Sequence, residues 1–129
     1  MSSAPSITSP INADKLPVEP PSLDLSVVVP VYNSSATLPA LLERLTTVLE
    51  GITPRYEIIL VDDDSRDDSW GVMQSLTEIY DKHLVSVQLM RNYGQHNTLM
   101  CGLGLARGAY VVTMDDDLQN PPKEIPKML

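Results

Sequence analysis

Leu25-Ser26-Val27-Val28-Val29-Pro30-Val31-Tyr32-Asn33 opens the ordered part of this chain and decides how the rest is read. The run is apolar, rich in β-branched residues and too short for a helix, which marks a strand covered on both faces. Pro30 suits its end, because proline cannot serve a sheet ladder in mid-strand. Two polar groups, Tyr32 and Asn33, follow at once.

Working outward, Leu38, Leu41, Leu42, Leu45, Val48 and Leu49 keep the three-and-four spacing of an amphipathic helix, with Ser35 as its cap and Gly51 as its stop. The same alternation then recurs. Tyr56 to Val61 reads as a second strand, and Trp70, Met73, Leu76 and Tyr80 mark one face of a helix capped near Asp67 or Asp68. Leu84 to Met90 is a third strand, Leu99, Met100, Leu103 and Ala106 mark a third helix ending at Gly108, and Tyr110 to Met114 is a fourth strand. A further helix is expected to start at Pro121-Pro122. Strands alternating with helices at this spacing predict an α/β domain, Rossmann-like, with a mainly parallel sheet and helices on both faces. The pattern leaves strand order open.

Residues 1–22 differ in kind. They hold five of the eleven prolines and no sustained apolar period, so they are expected to form a disordered Pro/Ser-rich leader, with the domain occupying 23–129. The leader has neither the basic start nor the apolar core of a secretory signal. No stretch reaches the ~18–20 apolar residues of a membrane span. A formal charge of -8 without clustered Lys or Arg argues against a nucleic-acid partner. The single cysteine, Cys101, lies in an apolar helical pattern and is expected to be a core residue, which fits a reducing cytoplasmic setting.

Each strand is followed by a polar cluster: Tyr32-Asn33, then Asp62-Asp63-Asp64-Ser65, then Arg91-Asn92-Tyr93-Gly94, then Asp115-Asp116-Asp117. In a parallel sheet all four lie on one edge, where open α/β sheets bind their ligands. Asp67, Asp68 and Ser69 are explained by helix capping. His96 reads as a surface or capping group, and His83 as solvated. Three consecutive carboxylates at a strand end exceed what capping needs. Two carboxylates about 4 Å apart repel by roughly 4 kcal/mol at an effective dielectric near 20, which calls for protonation or a cation. Asp115 and Asp117, two residues apart, can lean toward one ion, and oxygen ligands alone favour Mg2+ or Mn2+ shared with a diphosphate.

Val-Val-Pro-Val-Tyr-Asn, Val-Asp-Asp-Asp-Ser, Arg-Asn-Tyr-Gly-Gln-His and Asp-Asp-Asp-Leu-Gln-Asn-Pro-Pro, in that order, resemble the family-two inverting glycosyltransferases over nearly all of Leu25 to Leu129. Arg91 to His96 and Leu118 to Pro122 carry a narrower likeness, to the branch that loads sugars onto polyprenyl phosphates. Within it the undecaprenyl-phosphate formamido-arabinose transferases are the nearer match and the dolichyl-phosphate mannose synthases the more distant. The resemblance implies the nucleotide-binding half of a GT-A fold, a UDP-linked sugar donor and a polyprenyl phosphate acceptor. It implies that Pro30, Tyr32 and Asn33 line the nucleotide pocket, that Asp63, beside Asp62, reads the uracil edge, and that Arg91, Asn92 and Gly94 join the donor site. Asp115 and Asp117 match the motif that holds metal and diphosphate. The family usually has glycine or asparagine at Asp64 and a small residue at Asp116. The implied chemistry is a single inverting displacement in which an anionic acceptor needs little help from a general base.

The same resemblance implies that an acceptor-binding half and membrane helices follow the metal motif in longer relatives. A chain ending at Leu129 is then a donor-binding fragment that turns over poorly alone, and a full-length form works at the cytoplasmic face of the inner membrane. Two other classes compete. A phosphorelay receiver also has an apolar strand ending in paired aspartates, but leaves the Leu25 to Asn33 strand unexplained. A non-catalytic nucleotide-binding module is the third.

Overall fold

A computed structural model describes residues 23–115. The expected leader, the helix from Pro121-Pro122, and Asp116 and Asp117 lie outside the described residues. Seven elements follow in order: β1 (Leu23–Val31), α1 (Leu38–Glu50), β2 (Tyr56–Asp62), α2 (Ser69–Ile79), β3 (Leu84–Gln88), α3 (Gln95–Leu105) and β4 (Gly108–Thr113). All four strands pair in parallel in the order β3-β2-β1-β4. The chain winds from β1 through β2 to β3, then crosses back past β1 to place β4 on its other side. The strand order therefore reverses between β1 and β4, which is where such sheets form their ligand crevice. A receiver domain is wound 2-1-3-4-5 instead.

Alternation along the central strands divides the core. Leu25, Val27, Val29 and Val31 of β1, with Tyr56, Ile58 and Leu60 of β2, face α1 and α2. Val28, Ile59 and Val61 face the other way, against Leu99, Cys101 and Ala106. Helices thus cover both faces, and Cys101, expected to be buried, is partly buried against the smaller cluster. α3 comes so close to the sheet that a Cβ on Gly102 would lie 2.3 Å from Val28 Cγ1. Only glycine permits that approach without displacing the valine.

Several local expectations are corrected. The α1 cap is Thr37 rather than Ser35, with no side-chain cap bond, because a turn through Thr37 N and Leu38 N onto the Ser34 carbonyl delays the helix start. α3 starts at Gln95 and ends before Gly108, which instead opens β4 against the backbone of Leu25 and Ser26. His83 is half-buried rather than freely solvated: its ring stacks on Tyr56, centroids 4.0 Å apart at 8°, because the turn from α2 into β3 brings it beside the start of β2.

At the edge of the sheet remote from the strand ends, Glu57 is buried at 2 % exposure. Its carboxylate accepts the Ser26 hydroxyl at 2.6 Å and the Arg107 backbone N–H at 2.7 Å, while Ser26 Oγ accepts Gly108 N–H at 2.8 Å. The Arg107 guanidinium adds two longer contacts of 3.3 Å from a largely exposed side chain. This cluster ties the start of β4 to β1 and β2.

Candidate donor-binding site

The carboxyl ends of β1, β2 and β4, with the N-terminal turn of α3, enclose a cleft of about 380 Å³. Its lining is Pro30, Val31, Tyr32, Asp63, Asn92, Gly94, Gln95, Thr98 and Asp115. Pro30 helps create it. Val28 O accepts Met114 N–H from β4, so by alternation the residue 30 nitrogen faces β4 too. Proline has no N–H there, and the β1–β4 register ends at Val28–Thr113.

Asp63, nearly buried, spends its two oxygens on one loop: Oδ1 accepts Tyr93 N–H at 2.8 Å and Oδ2 accepts Gly94 N–H at 3.1 Å. Asn92 Oδ1 also accepts from Gly94 N–H, at 3.0 Å. Gly94 sits at φ 89°, ψ 153° as the α3 cap, a conformation that disfavours side chains. Thr98, buried one turn on, returns its hydroxyl to the Gly94 carbonyl. Beyond this turn, Gln95 Nε2 donates to Asp115 Oδ1 at 3.0 Å, joining the α3 start to the end of β4.

Six of the expected site residues therefore meet in the cleft: Pro30, Tyr32, Asp63, Asn92, Gly94 and Asp115. Asn33, Asp62 and Arg91 are placed outside its lining. Asn33, at φ 51°, accepts Arg66 N–H at 2.8 Å and donates its own N–H to Ser65 Oγ, stitching the β1 and β2 loops together. Asp62 is fully buried and accepts the Ser65 hydroxyl and, at 3.3 Å, the Ser65 N–H. Burial pushes its carboxyl above the ordinary aspartate range, against the pull of the Ser65 bonds and helped by the charges of Asp64 and Asp67. Arg91 lies over the Tyr93 ring, 5.1 Å from its centroid. Asp67 opposes its desolvation with four bonds, two each from Ser69 and Ser35, which hold its carboxyl below the usual range.

Val31, Gln95 and Thr98 line the cleft without having been singled out. Gln95 was visible as the residue after the glycine of the Arg-Asn-Tyr-Gly-Gln-His stretch. Thr98 carried no signal beyond its place in a helical pattern. Among the described residues the cleft holds two carboxylates and no basic side chain, and no cluster of three or more His, Cys, Asp or Glu groups gathers to hold a metal.

Residues 26–129 match the family described as Glycosyl transferase family 2. The chain belongs to that family. The parallel sheet flanked by helices is Rossmann-like, as in the GT-A glycosyltransferases. Undecaprenyl-phosphate 4-deoxy-4-formamido-L-arabinose transferase of Aeromonas hydrophila is 48% identical over 105 residues, 81% of this chain and 32% of that protein. The enzyme of the same name from Sodalis glossinidius is 44% identical over 123 residues, 95% of this chain and 35% of that protein. The chain thus spans about a third of the length of these relatives. Among solved structures it resembles glucosyl-3-phosphoglycerate synthase from Mycobacterium tuberculosis in complex with Mn2+, UDP and phosphoglyceric acid, with a TM-score of 0.60 and 26% identity over 81% of this chain and 37% of the other.

Proposed function

We propose that this family member forms the donor-binding half of a transferase that moves a sugar from a UDP-linked donor to a polyprenyl phosphate, with inversion. The observation that carries the proposal is the cleft itself. Residues from all four strand-end motifs converge at the β1–β4 reversal and leave a hollow of nucleotide scale. Tyr32 and Pro30 offer flat, apolar surface for a base, and the Gly94 turn lets a ligand approach backbone closely.

The chemistry of the lining bears on the cation. A diphosphate entering a cleft that holds Asp63 and Asp115 and, among the described residues, no basic side chain meets like charge. The Asp63 charge is largely balanced by its two backbone donors. Asp115 remains, an oxygen donor of the kind that suits Mg2+ or Mn2+, and with Asp117 it would hold the ion. Such a cation, when bound, supplies charge neutralisation for the departing nucleoside diphosphate. The residues of the chain bind the base, fix the Asn92–Gln95 turn and narrow water's access to the cleft. The anionic acceptor needs little deprotonation, so no strong general base is assigned.

The acceptor would be met in the part of longer relatives that lies beyond this stretch. A lipid acceptor calls for a membrane surface, and in this reading the working enzyme acts at the cytoplasmic face of the inner membrane. No described helix is long and apolar enough to cross a membrane. Titration with UDP, with and without Mn2+, tests the assignment: cation-dependent binding is expected, and Asp115→Ala should lower it at least tenfold. Cation-independent or absent binding would reject it.

A further inference from the structure

We propose that Gln95 is a positioning residue for Asp115, setting how its carboxylate is presented to a cation. The inference rests on the donor-binding function above. A carboxylate only accepts hydrogen bonds, so the group facing Asp115 Oδ1 at 3.0 Å must be the amide NH2 of Gln95. That contact commits one oxygen to a neutral donor. It leaves the carboxylate charge undiminished for a cation, as a salt bridge to Lys or Arg would not.

The donor is itself held in place. Gln95 is the first residue of α3, and the turn before it is fixed from β2 by Asp63 through Tyr93 N–H and Gly94 N–H. Thr98 fixes the same turn from the helix side. The amide therefore stands on a braced backbone, and Asp115 sits just past the end of β4, where no β1 ladder bond steadies it. Without Gln95 the carboxylate would be free to rotate about its side-chain torsions, and a bound ion would have to order it. Partners that orient metal ligands typically change metal affinity by about 10–100-fold when removed.

Gln95 is exposed, so its replacement should leave the fold intact. The test compares the 129-residue chain with its Gln95→Met form, which keeps side-chain length and removes the donor. Two quantities are read by titration: the Mn2+ concentration that half-saturates UDP binding, and the affinity for uridine, which has no phosphate. We expect Gln95→Met to raise the half-saturating Mn2+ about tenfold, well beyond any change in uridine affinity or melting temperature. In an Asp115→Asn background the same replacement should add nothing further.

Equal Mn2+ requirements in the two proteins would overturn the role of Gln95 while leaving the donor-binding function standing. A parallel fall in uridine affinity would overturn it too, by showing a general disturbance of the cleft. If the unaltered chain bound UDP without any cation dependence, the donor-binding function would fail first.

Discussion

Glu57→Ala should destabilise this domain while sparing its cleft. The carboxylate receives the Ser26 hydroxyl and the Arg107 backbone N–H, both shorter than 2.8 Å, in a site only 2 % exposed. Alanine leaves the Arg107 N–H without its acceptor, a loss of about 1–3 kcal/mol, and strips the Ser26 hydroxyl of its acceptor for about 1 more. The Arg107 side chain is 62% exposed, and its ion pair is screened by water, so it adds little. Release of a desolvated charge works in the opposite direction. The net expectation is a loss of about 2 kcal/mol, or roughly 8–16 °C in melting temperature for a domain of this size. Urea unfolding followed by the fluorescence of Trp70, the sole tryptophan, which packs against the α1–α2 core, reads this directly. UDP binding measured well below the transition should hold. Arg107→Ala should cost under about 0.5 kcal/mol and Ser26→Ala should couple strongly to Glu57→Ala. A loss below about 0.5 kcal/mol in Glu57→Ala, or a dominant effect of Arg107→Ala, would refute the reasoning that backbone and hydroxyl donors, rather than the ion pair, make this latch.

Three further outcomes follow from particular contacts. Gly102→Ala should cost about 1 kcal/mol, overpacking against Val28 exceeding the gain in helix propensity, and Val28→Ala in the same chain should be less harmful than additivity predicts by urea unfolding. Asp64 has φ 56°, so Asp64→Gly should raise stability by up to about 1 kcal/mol in thermal melts, whereas Asp64→Ala should not. For Asp62, whose carboxyl is raised above 3.8 by burial, the folded state holds its proton more tightly than the unfolded state does. The charge penalty is therefore present at neutral pH and disappears as pH falls through the raised value toward 3.8. Relative to Asp62→Asn, the unaltered chain should gain stability on acidification across that window, as denaturation at a series of pH values would show.

Element identity was legible because burial imposes period: the Leu25–Val31 and Tyr56–Val61 runs and the α1 leucines declare what they are without help from distant residues. Strand order was not, since nothing local to β4 says that it returns beside β1 rather than extending beyond β3. The cleft was half visible. Tyr32, Asp63, Asn92 and Asp115 announce themselves as polar groups after strands, but Asn33 and Asp62 have the same signature and are used otherwise, Asn33 to join the β1 and β2 loops and Asp62 to hold Ser65 within its own loop. Which way a strand-end side chain turns depends on φ at Asn33 and Asp64, and on Ser65, three residues along from Asp62. Asp64 adopts a left-handed backbone, which glycine and asparagine tolerate well. Glu57 and Arg107, fifty residues apart, meet only through the crossover of α3.

Pro30 has a wider consequence. A fork in a sheet is commonly credited to the loops that hold it open, and loops can drift. Here a ring closure at one nitrogen acts as a wedge: among the described residues the pairing of β1 with β4 ends at Val28–Thr113, two residues short of the proline. The mouth of the cleft is thereby written into the main chain, and it would survive wholesale changes in the side chains around it.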